Sequence, residues 1–268
     1  MSTNLFFDIG ASKTRIGVSS DLSSITDQDA FDTPKNFDEA MNLISVRAKN
    51  LLNEIKSERA IVGLAGPMDK DHDRLLKSNL ADWVNKPIKK TLEEKLGMSV
   101  LIYNDCLLTG LGEAVYGAGK DERIVCYVTV SSGVNGVRIV DRAIDVNAAG
   151  FEIGHQIIDL RESRDLESYI SGLSIERRYG KSPMDINDPK IWEEVERYLA
   201  VGVSNTILHW SPNILILGGG VMYQIDINHI IRNVNGLIGN FFEVPKIVKS
   251  KLGDFGGLWG GLYISRDH

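Results

Sequence analysis

The stretch that decides the fold is residues 6–18, which read FFDIGASKTRIGV. An apolar run reaches Gly10, three small or polar residues follow at 11–13, and a second apolar run returns. This pattern predicts a β-hairpin with Asp8 before its turn and Lys13 within it. Small and hydroxylated turn residues leave backbone N–H groups accessible to an anion, because no bulky Cβ blocks the approach.

A second segment of the same kind lies near the middle of the chain. Residues 126–139 read CYVTVSSGVNGVRI, which predicts a hairpin that turns at Ser131, Ser132 and Gly133. Two such turns, one in each half, predict two lobes that hold one polyphosphate. The first turn is not a Walker A loop, because Phe7 and Ser12 stand where that motif requires glycine.

The composition limits the classes of protein to consider. The chain has 268 residues, 43% of them hydrophobic, and a net charge of −6. It is therefore long enough for one large domain or two lobes with a folded core. The acidic balance, without a long Lys or Arg run, argues against a nucleic-acid or membrane-surface protein. Without a leader or a long apolar segment, we expect a soluble cytoplasmic protein. Cys106 and Cys126 lie in apolar stretches, which predicts buried free thiols.

Predicted strands and helices alternate along both halves. Asn36 opens an apolar stripe at helical spacing, and Pro87 and Gly97 mark the first turn and the end of another helix. The second half repeats the plan, and residues 256–264 are glycine-rich but predicted to be helical. These patterns predict an α/β fold with a mixed sheet flanked by helices in each half. We place a hinge near residues 105–119.

Two aspartates are candidates for chemistry. Asp8 lies near the end of a predicted strand. It could hold Mg²⁺ through water beside a phosphate, or alternatively cap its own turn. Asn104 and Asp105 lie between a strand and a helix. Asp105 is therefore a candidate general base for a hydroxyl proton, or alternatively an N-cap.

Two further motifs suggest ligand contacts. Glu152 and His155 stand close together beside glycines, which fits binding of vicinal sugar hydroxyls or a plain surface ion pair. The residues Gly218, Gly219 and Gly220 follow an apolar strand, where they allow a ligand close to the backbone or form a tight turn.

Taken in order, these segments resemble the ROK family of sugar kinases, within the actin/hexokinase/Hsp70 superfamily. Residues 8–13 (DIGASK) are similar to the family's Asp-Ile-Gly-Gly-Thr-Lys loop. The other matching segments are residues 78–83, 104–119, 152–155, 166–172 and 217–221. The resemblance implies a two-lobed ribonuclease-H-like (actin-like ATPase) fold. The lobes would be residues 1–112 with the C-terminal helix 256–268, and residues 113–255.

The resemblance also implies roles for single residues. Asp105 would be the catalytic base, and Asp8 would serve Mg²⁺ through water. The sugar-binding residues would be Asn79, Asn104, Asp105, Glu152, His155 and Glu167. The residues that contact the nucleotide or its phosphates would be Gly10, Ala11, Ser12, Lys13, Ser131, Ser132, Gly133, Gly218, Gly219 and Gly220. ATP, Mg²⁺ and a homodimer are the expected cofactors and assembly.

The chain departs from the family pattern in two places. Many members carry a Cys-x-Cys-Gly-x-x-Gly-Cys zinc motif after the histidine, whereas residues 156–166 are short and lack cysteine. We therefore expect no zinc, and the segment around His155 and Glu167 must be held in another way. The second turn also carries Ser131 and Val137 where the family has glycine, which leaves the identity of the donor open.

The implied function is an ATP-dependent carbohydrate kinase, with the 6-hydroxyl of glucose as the expected acceptor. N-acetylmannosamine, mannose or fructose would fit the same residues, and polyphosphate or ADP is an alternative donor. A different class is a non-catalytic sugar-binding regulator that acts through protein partners. An actin- or Hsp70-like ATPase is the third alternative, although the residues around Asp105 and His155 suit a polyol.

Overall fold

The computed structural model describes residues 3–147 and 150–266. Its chain contacts form two compact units, residues 1–112 with 255–268 and residues 113–254. The outer ends of the predicted lobe ranges, residues 1–2 and 267–268, lie outside the described residues. Within the described part, no helix combines the length and the apolar character needed to cross a bilayer.

Each unit contains a five-stranded mixed sheet. The strands of the first unit are β1 (Thr3–Ile9), β2 (Lys13–Ser19), β3 (Asp27–Asp32), β4 (Ser57–Leu64) and β5 (Ser99–Asn104). Those of the second unit are β6 (Ile124–Val130), β7 (Val134–Val140), β8 (Ala143–Ile144), β9 (Ile157–Asp159), β10 (Arg164–Asp165), β11 (Ile214–Gly218) and β12 (Lys246–Lys249). Strands β9 and β10 form a separate two-stranded hairpin.

The two large sheets share one topology. Their strand orders are β3-β2-β1-β4-β5 and β8-β7-β6-β11-β12. In the first sheet, β1–β2 and β2–β3 are antiparallel, whereas β1–β4 and β4–β5 are parallel. The second sheet repeats these directions. The predicted hairpins and the predicted mixed sheet in each half are therefore confirmed.

Helices flank both sheets. They are α1 (Phe37–Leu52), α2 (Ile88–Leu96), α3 (Asp105–Val115), α4 (Glu167–Ile170), α5 (Gly172–Tyr179), α6 (Pro189–Trp210), α7 (Ile227–Ile238) and α8 (Gly256–Ile264). Helix α1 begins where the sequence predicts, because the Asn36 side chain accepts a hydrogen bond from the Glu39 N–H at 3.0 Å. Gly97, in the left-handed region, ends α2, whereas Pro87 lies one residue before that helix.

Apolar side chains form one cluster in each unit. The first centres on residues such as Phe7, Ile44 and Trp83, and the second on residues such as Leu199 and Leu215, all fully or almost fully buried. Cys106 and Cys126 are buried and form no disulfide within the described residues, as predicted. Burial raises the pKa of Cys126 to about 12, so this thiol is unreactive at neutral pH.

The glycines of α8 allow its backbone to lie directly against α3. A Cβ at Gly260 would stand 1.9 Å from the carbonyl oxygen of Leu108, and a Cβ at Gly112 would stand 2.3 Å from that of Gly256. On the sheet side, a Cβ at Gly257 would come within 3.2 Å of Asp8. Glycine weakens a helix by about 1 kcal/mol relative to alanine, and here it permits a helix to pack between β1 and α3.

Glu113, the first residue of the second unit, is a fully buried carboxylate with four hydrogen bonds. Its Oε1 accepts from the Ser250 hydroxyl (2.6 Å), Lys251 N–H (2.8 Å) and Leu252 N–H (2.7 Å). Its Oε2 accepts from the Ala118 N–H at 2.8 Å. One side chain thus ties the beginning of the second unit to the segment near its end.

Replacing Gly260 with alanine tests the close packing of α8. We expect Gly260→Ala to lower the free energy of unfolding by about 1–3 kcal/mol or more, because the new methyl group overlaps a backbone carbonyl. The matched control is Gly236→Ala in α7, where nothing lies within 4 Å of the added Cβ. That change should leave stability equal or raise it by about 0.5–1 kcal/mol. Equal effects of the two substitutions in urea unfolding would contradict this packing.

Candidate functional site

The first turn is closed by backbone hydrogen bonds and braced by Thr33. The Gly10 N–H donates to the Lys13 carbonyl at 2.9 Å, and the Thr33 hydroxyl donates to the Gly10 carbonyl at 2.8 Å. The N–H groups of Ala11 and Ser12 donate to no acceptor within residues 3–147 and 150–266. Free N–H groups at a turn of small residues fit an anion such as a phosphate.

Lys13 adds an exposed positive charge to this turn. Its Nζ lies 2.6 Å from Asp32 Oδ1, and both side chains are more than half exposed. An exposed ion pair of this kind contributes little to stability. Lys13 can therefore exchange its carboxylate partner for a phosphate group at small cost.

Asp8 is a largely buried carboxylate near the end of β1. Its Oδ2 lies 3.5 Å from Nη1 of Arg15, its partner residue on β2. Mg²⁺ commonly uses one or two protein carboxylates together with water and phosphate oxygens. In the described part of the chain, no group of three or more His, Cys, Asp or Glu is arranged to hold a metal ion. Asp8 thus suits a Mg²⁺ whose remaining ligands come from water and a bound phosphate.

Asn104 and Asp105 mark the change from β5 to α3. The Asn104 Oδ1 accepts from the Leu107 N–H at 3.3 Å, so Asn104 provides a side-chain cap for α3. The sequence predicts this capping role for Asp105, as the alternative to a general base. Burial raises the pKa of the Asp105 carboxyl, against the opposing effect of backbone N–H groups. A carboxylate with a raised pKa is a stronger base when it is ionised.

The register of the first sheet brings these groups to one edge. Asp8 on β1 pairs with Gly63 on β4, and Gly63 pairs with Tyr103 on β5, two residues before Asp105. Neighbouring strands lie about 4.8 Å apart, so Asp8 and Tyr103 are about 10 Å apart along the sheet. A Cβ at Gly63 would stand 3.2 Å from the Asp105 Cα, so this glycine lets Asp105 lie close to β4.

Asn79 lies in the loop between β4 and α2 and is exposed. A Cβ at Gly66, two residues beyond β4, would stand 2.7 Å from the Lys77 carbonyl oxygen. The loop therefore folds back to the carboxyl end of β4. This places Asn79 at the same edge of the sheet as the first turn and Asp105.

The second turn, in the second unit, is fixed at both ends. The Ser131 N–H donates to the Gly133 carbonyl at 2.8 Å, and the Ser131 carbonyl accepts from the Gly172 N–H at 2.7 Å. At the other end, the Val134 N–H donates to Glu167 Oε2 at 2.8 Å. The Ser132 and Gly133 N–H groups donate to no acceptor in the described chain.

The segment that contains Glu152 and His155 reaches the second turn through Gly154, and residues Ile153–His155 form a short 3₁₀ helix. A Cβ at Gly154 would stand 2.2 Å from the Val134 carbonyl oxygen, so the motif packs against the residue that follows the turn. The ionic partner of His155 is Asp165, with Nδ1 2.7 Å from Oδ2. The alternative prediction of a Glu152–His155 surface ion pair is therefore wrong.

The short segment after His155 is held by its own carboxylates. Residues Ile157–Asp159 and Arg164–Asp165 form the β9–β10 hairpin. Asp165 accepts from the Ser168 N–H at 2.9 Å, and the Tyr169 hydroxyl donates to Asp159 at 2.7 Å. These bonds connect His155 to the helix that begins at Glu167. They hold the segment in place without the cysteine motif that many family members carry.

The glycine triplet lies next to the second turn. Strand β11 pairs with β6 so that Gly218 stands opposite Thr129. Gly219 has φ +92°, and a Cβ there would stand 2.4 Å from the carbonyl oxygen of Val130, the residue before the turn. Around Gly220, by contrast, there is open space. The triplet thus brings a bare backbone beside the second turn.

Asp165 is the clearest residue that sequence reasoning missed. It is ten residues from His155, and no periodicity or motif marks the pair. The hydrogen bond to Asp165, assisted by the charges of Glu167 and Glu152, raises the pKa of His155. The pair therefore stabilises the fold fully below the unfolded pKa of about 6.5 and less as pH rises through the folded pKa.

Asp165→Asn should lower the pKa of His155, because the substitution removes the charge and the hydrogen bond that favour the imidazolium form. The measurement is an NMR titration of the His155 ring protons. Asp159→Asn is the control, since Asp159 belongs to the same hairpin but bonds to Tyr169. An unchanged His155 titration in Asp165→Asn would show that the pair does not set this pKa.

Comparison with known proteins places the chain in a family. Residues 5–268 match the model of the ROK family. An N-acetyl-D-glucosamine kinase of Vibrio atlanticus (strain LGP32) is 26% identical, with 97% of this chain and 98% of the relative covered. A ROK family glucokinase from Streptomyces griseus, solved with glucose and AMPPNP, superimposes with a TM-score of 0.85 at 21% identity, covering 100% of both chains. A ROK hexokinase from Thermus thermophilus gives 0.81 at 22% identity, covering 99% of both. The fold is thus the actin-like ATPase fold of these kinases, and the chain belongs to the ROK family.

Proposed function

We propose that this ROK-family sugar kinase transfers the γ-phosphoryl group of ATP to the 6-hydroxyl of glucose. The observation that carries the proposal is Asp105, a carboxylate of raised pKa at the carboxyl end of β5. It shares one edge of its sheet with Asp8 and the first turn. The similarity to a glucokinase solved with glucose and AMPPNP supports this choice of acceptor and donor.

In this proposal, Asp105 accepts the proton of the attacking hydroxyl. The transition state of phosphoryl transfer is loose, so little proton removal is needed early and a carboxylate suffices. The raised pKa favours catalysis because it makes the ionised carboxylate a stronger base. Asn104 would bind a neighbouring hydroxyl through its amide N–H groups, since its Oδ1 already accepts from Leu107.

The first turn would bind the donor phosphates. Its Ala11 and Ser12 N–H groups and the Lys13 ammonium group supply hydrogen bonds and positive charge. Mg²⁺, when bound, neutralises charge on the phosphate oxygens. Asp8 would orient the water ligands of that ion, and Arg15 keeps the Asp8 carboxylate in place from the neighbouring strand.

The remaining sugar hydroxyls would be bound by Asn79, Glu152, His155 and Glu167. The carboxylates accept hydrogen bonds, and the histidine ring and the amide also donate them. Because Nδ1 of His155 bonds to Asp165, its Nε2 is the nitrogen left for a ligand. An N-acetyl-D-glucosamine kinase among the relatives makes that sugar the main competing acceptor. A cytoplasmic location and a homodimer stay predictions.

A coupled assay that crosses sugars with donors tests the proposal. The sugars are glucose, N-acetylglucosamine, N-acetylmannosamine, mannose and fructose, and the donors are ATP, ADP and polyphosphate. We expect the highest kcat/KM for glucose with ATP. A higher kcat/KM with polyphosphate would make polyphosphate the donor instead of ATP. The side chains of Ser131 in the second turn and of Val137 on β7, where the family has glycine, would be consistent with that result. A thermal shift with glucose, but no transfer from any donor, would favour a sugar-binding regulator.

Asp105→Asn should lower kcat by about 10²–10⁴-fold, because it removes the base. Glucose affinity should change little, because the amide keeps its hydrogen-bonding capacity. The variant should also be more stable than the wild type at pH 7. The folded-state pKa of Asp105 lies above its unfolded value of about 3.9, so the wild type loses stability as pH rises from that value through the folded pKa. An uncharged amide does not ionise, so Asp105→Asn does not lose this stability.

Asp38→Asn in the first turn of α1 is the matched control, because it removes an exposed charge near another helix N-terminus. It should keep kcat and lose about 0.3–1 kcal/mol of stability. Turnover at the wild-type rate in Asp105→Asn would overturn the assigned base, and a clear loss of stability would indicate a structural role instead.

A further inference from the structure

Glu167 connects the proposed sugar site of the second unit with its second turn. It is expected to bind a sugar hydroxyl, yet its Oε2 accepts the Val134 N–H at 2.8 Å, directly after that turn. A Cβ at Gly133 would stand 2.9 Å from the same oxygen. The carboxylate therefore occupies the space beside the turn and fixes the peptide that leaves it.

The same turn is held from its other sides by neighbouring motifs. Gly154, between Glu152 and His155, packs against the Val134 carbonyl oxygen. Gly172 donates to the Ser131 carbonyl at 2.7 Å. The segments that carry the proposed sugar ligands thus contact both ends of the turn. Within the described residues, Glu167 is the one charged side chain that hydrogen-bonds to any of residues 131–134.

The two oxygens of Glu167 differ in their surroundings. Oε2 is used by Val134, whereas Oε1 accepts no hydrogen bond from any residue in the ranges 3–147 and 150–266. The residue is only partly buried. One oxygen can therefore bind a ligand hydroxyl while the other keeps its bond to the turn.

We infer that Glu167 is a positioning residue for the second phosphate turn, and that a sugar bound to its carboxylate strengthens donor binding. The inference rests on the proposed function. A hydroxyl on Oε1 restricts the rotation of the carboxylate, which fixes the Val134 peptide. The Ser132 and Gly133 N–H groups are then already ordered when the donor phosphates arrive. By linkage, the donor strengthens sugar binding by the same factor.

Nucleotide titrations test this coupling. The dissociation constant of AMPPNP with Mg²⁺ is measured by calorimetry, without sugar and with saturating glucose, for wild type, Glu167→Ala and Glu167→Gln. In the wild type, glucose should tighten AMPPNP binding by about fivefold or more. Glu167→Ala should weaken AMPPNP binding even without sugar, whereas Glu167→Gln should restore it, because the amide oxygen also accepts the Val134 N–H.

Glu152→Ala is the control, because Glu152 is a proposed sugar ligand with no hydrogen bond to the turn in the described structure. It should weaken glucose binding and leave the sugar-free affinity for AMPPNP unchanged. If Glu167→Ala behaves in the same way as this control, the positioning role is wrong.

Amide hydrogen exchange provides a readout independent of turnover. The Val134 amide should exchange about tenfold faster in Glu167→Ala than in the wild type, and near the wild-type rate in Glu167→Gln. Unchanged exchange in Glu167→Ala would overturn the inference. If glucose tightens AMPPNP binding in the wild type and Glu167→Ala abolishes this, but no phosphoryl transfer occurs, the inference stands and the proposed function fails.

Discussion

The structure depends on a constraint of sheet topology. In each unit, the first strand of an antiparallel hairpin (β1 or β6) also pairs with a parallel strand (β4 or β11). The hairpin turn follows the carboxyl end of that first strand, so it lies at the same edge of the sheet as the carboxyl end of the parallel strand. In the first unit this places Asp8 and the 10–13 turn beside Asn104 and Asp105. In the second it places the 131–133 turn beside the glycines at 218–220.

The site residues are positioned at the expense of local stability. Asp105 keeps a carboxylate where burial disfavours its charge, and α8 uses glycines although these weaken a helix. The glycines bring atoms closer together than ordinary side chains would allow. Gly257 leaves room for Asp8, and Gly63 leaves room for Asp105. Such departures from the most stable choice are expected where a sequence maintains a functional site.

Local signals predicted much of the fold. Both hairpins, the Asn36 cap, the Gly97 stop and the closing glycine-rich helix were readable because each depends on residues adjacent in sequence. The four hydrogen bonds of Glu113 and the bond between His155 and Asp165 could not be predicted, since their partners meet only after the chain has folded. The alternative of a Glu152–His155 ion pair is wrong for the same reason: the β9–β10 hairpin supplies Asp165 as the ionic partner of His155.

The most direct measurement of phosphoryl transfer to a sugar is a proton-coupled ³¹P NMR spectrum of the protein with ATP, Mg²⁺ and glucose. Transfer to the 6-hydroxyl predicts a phosphomonoester triplet, from coupling to the two protons on that carbon, that grows in equal amount with ADP. The same mixture with Asp105→Asn should remain almost unchanged. Growth of inorganic phosphate instead of a sugar phosphate would contradict a kinase and indicate an ATPase.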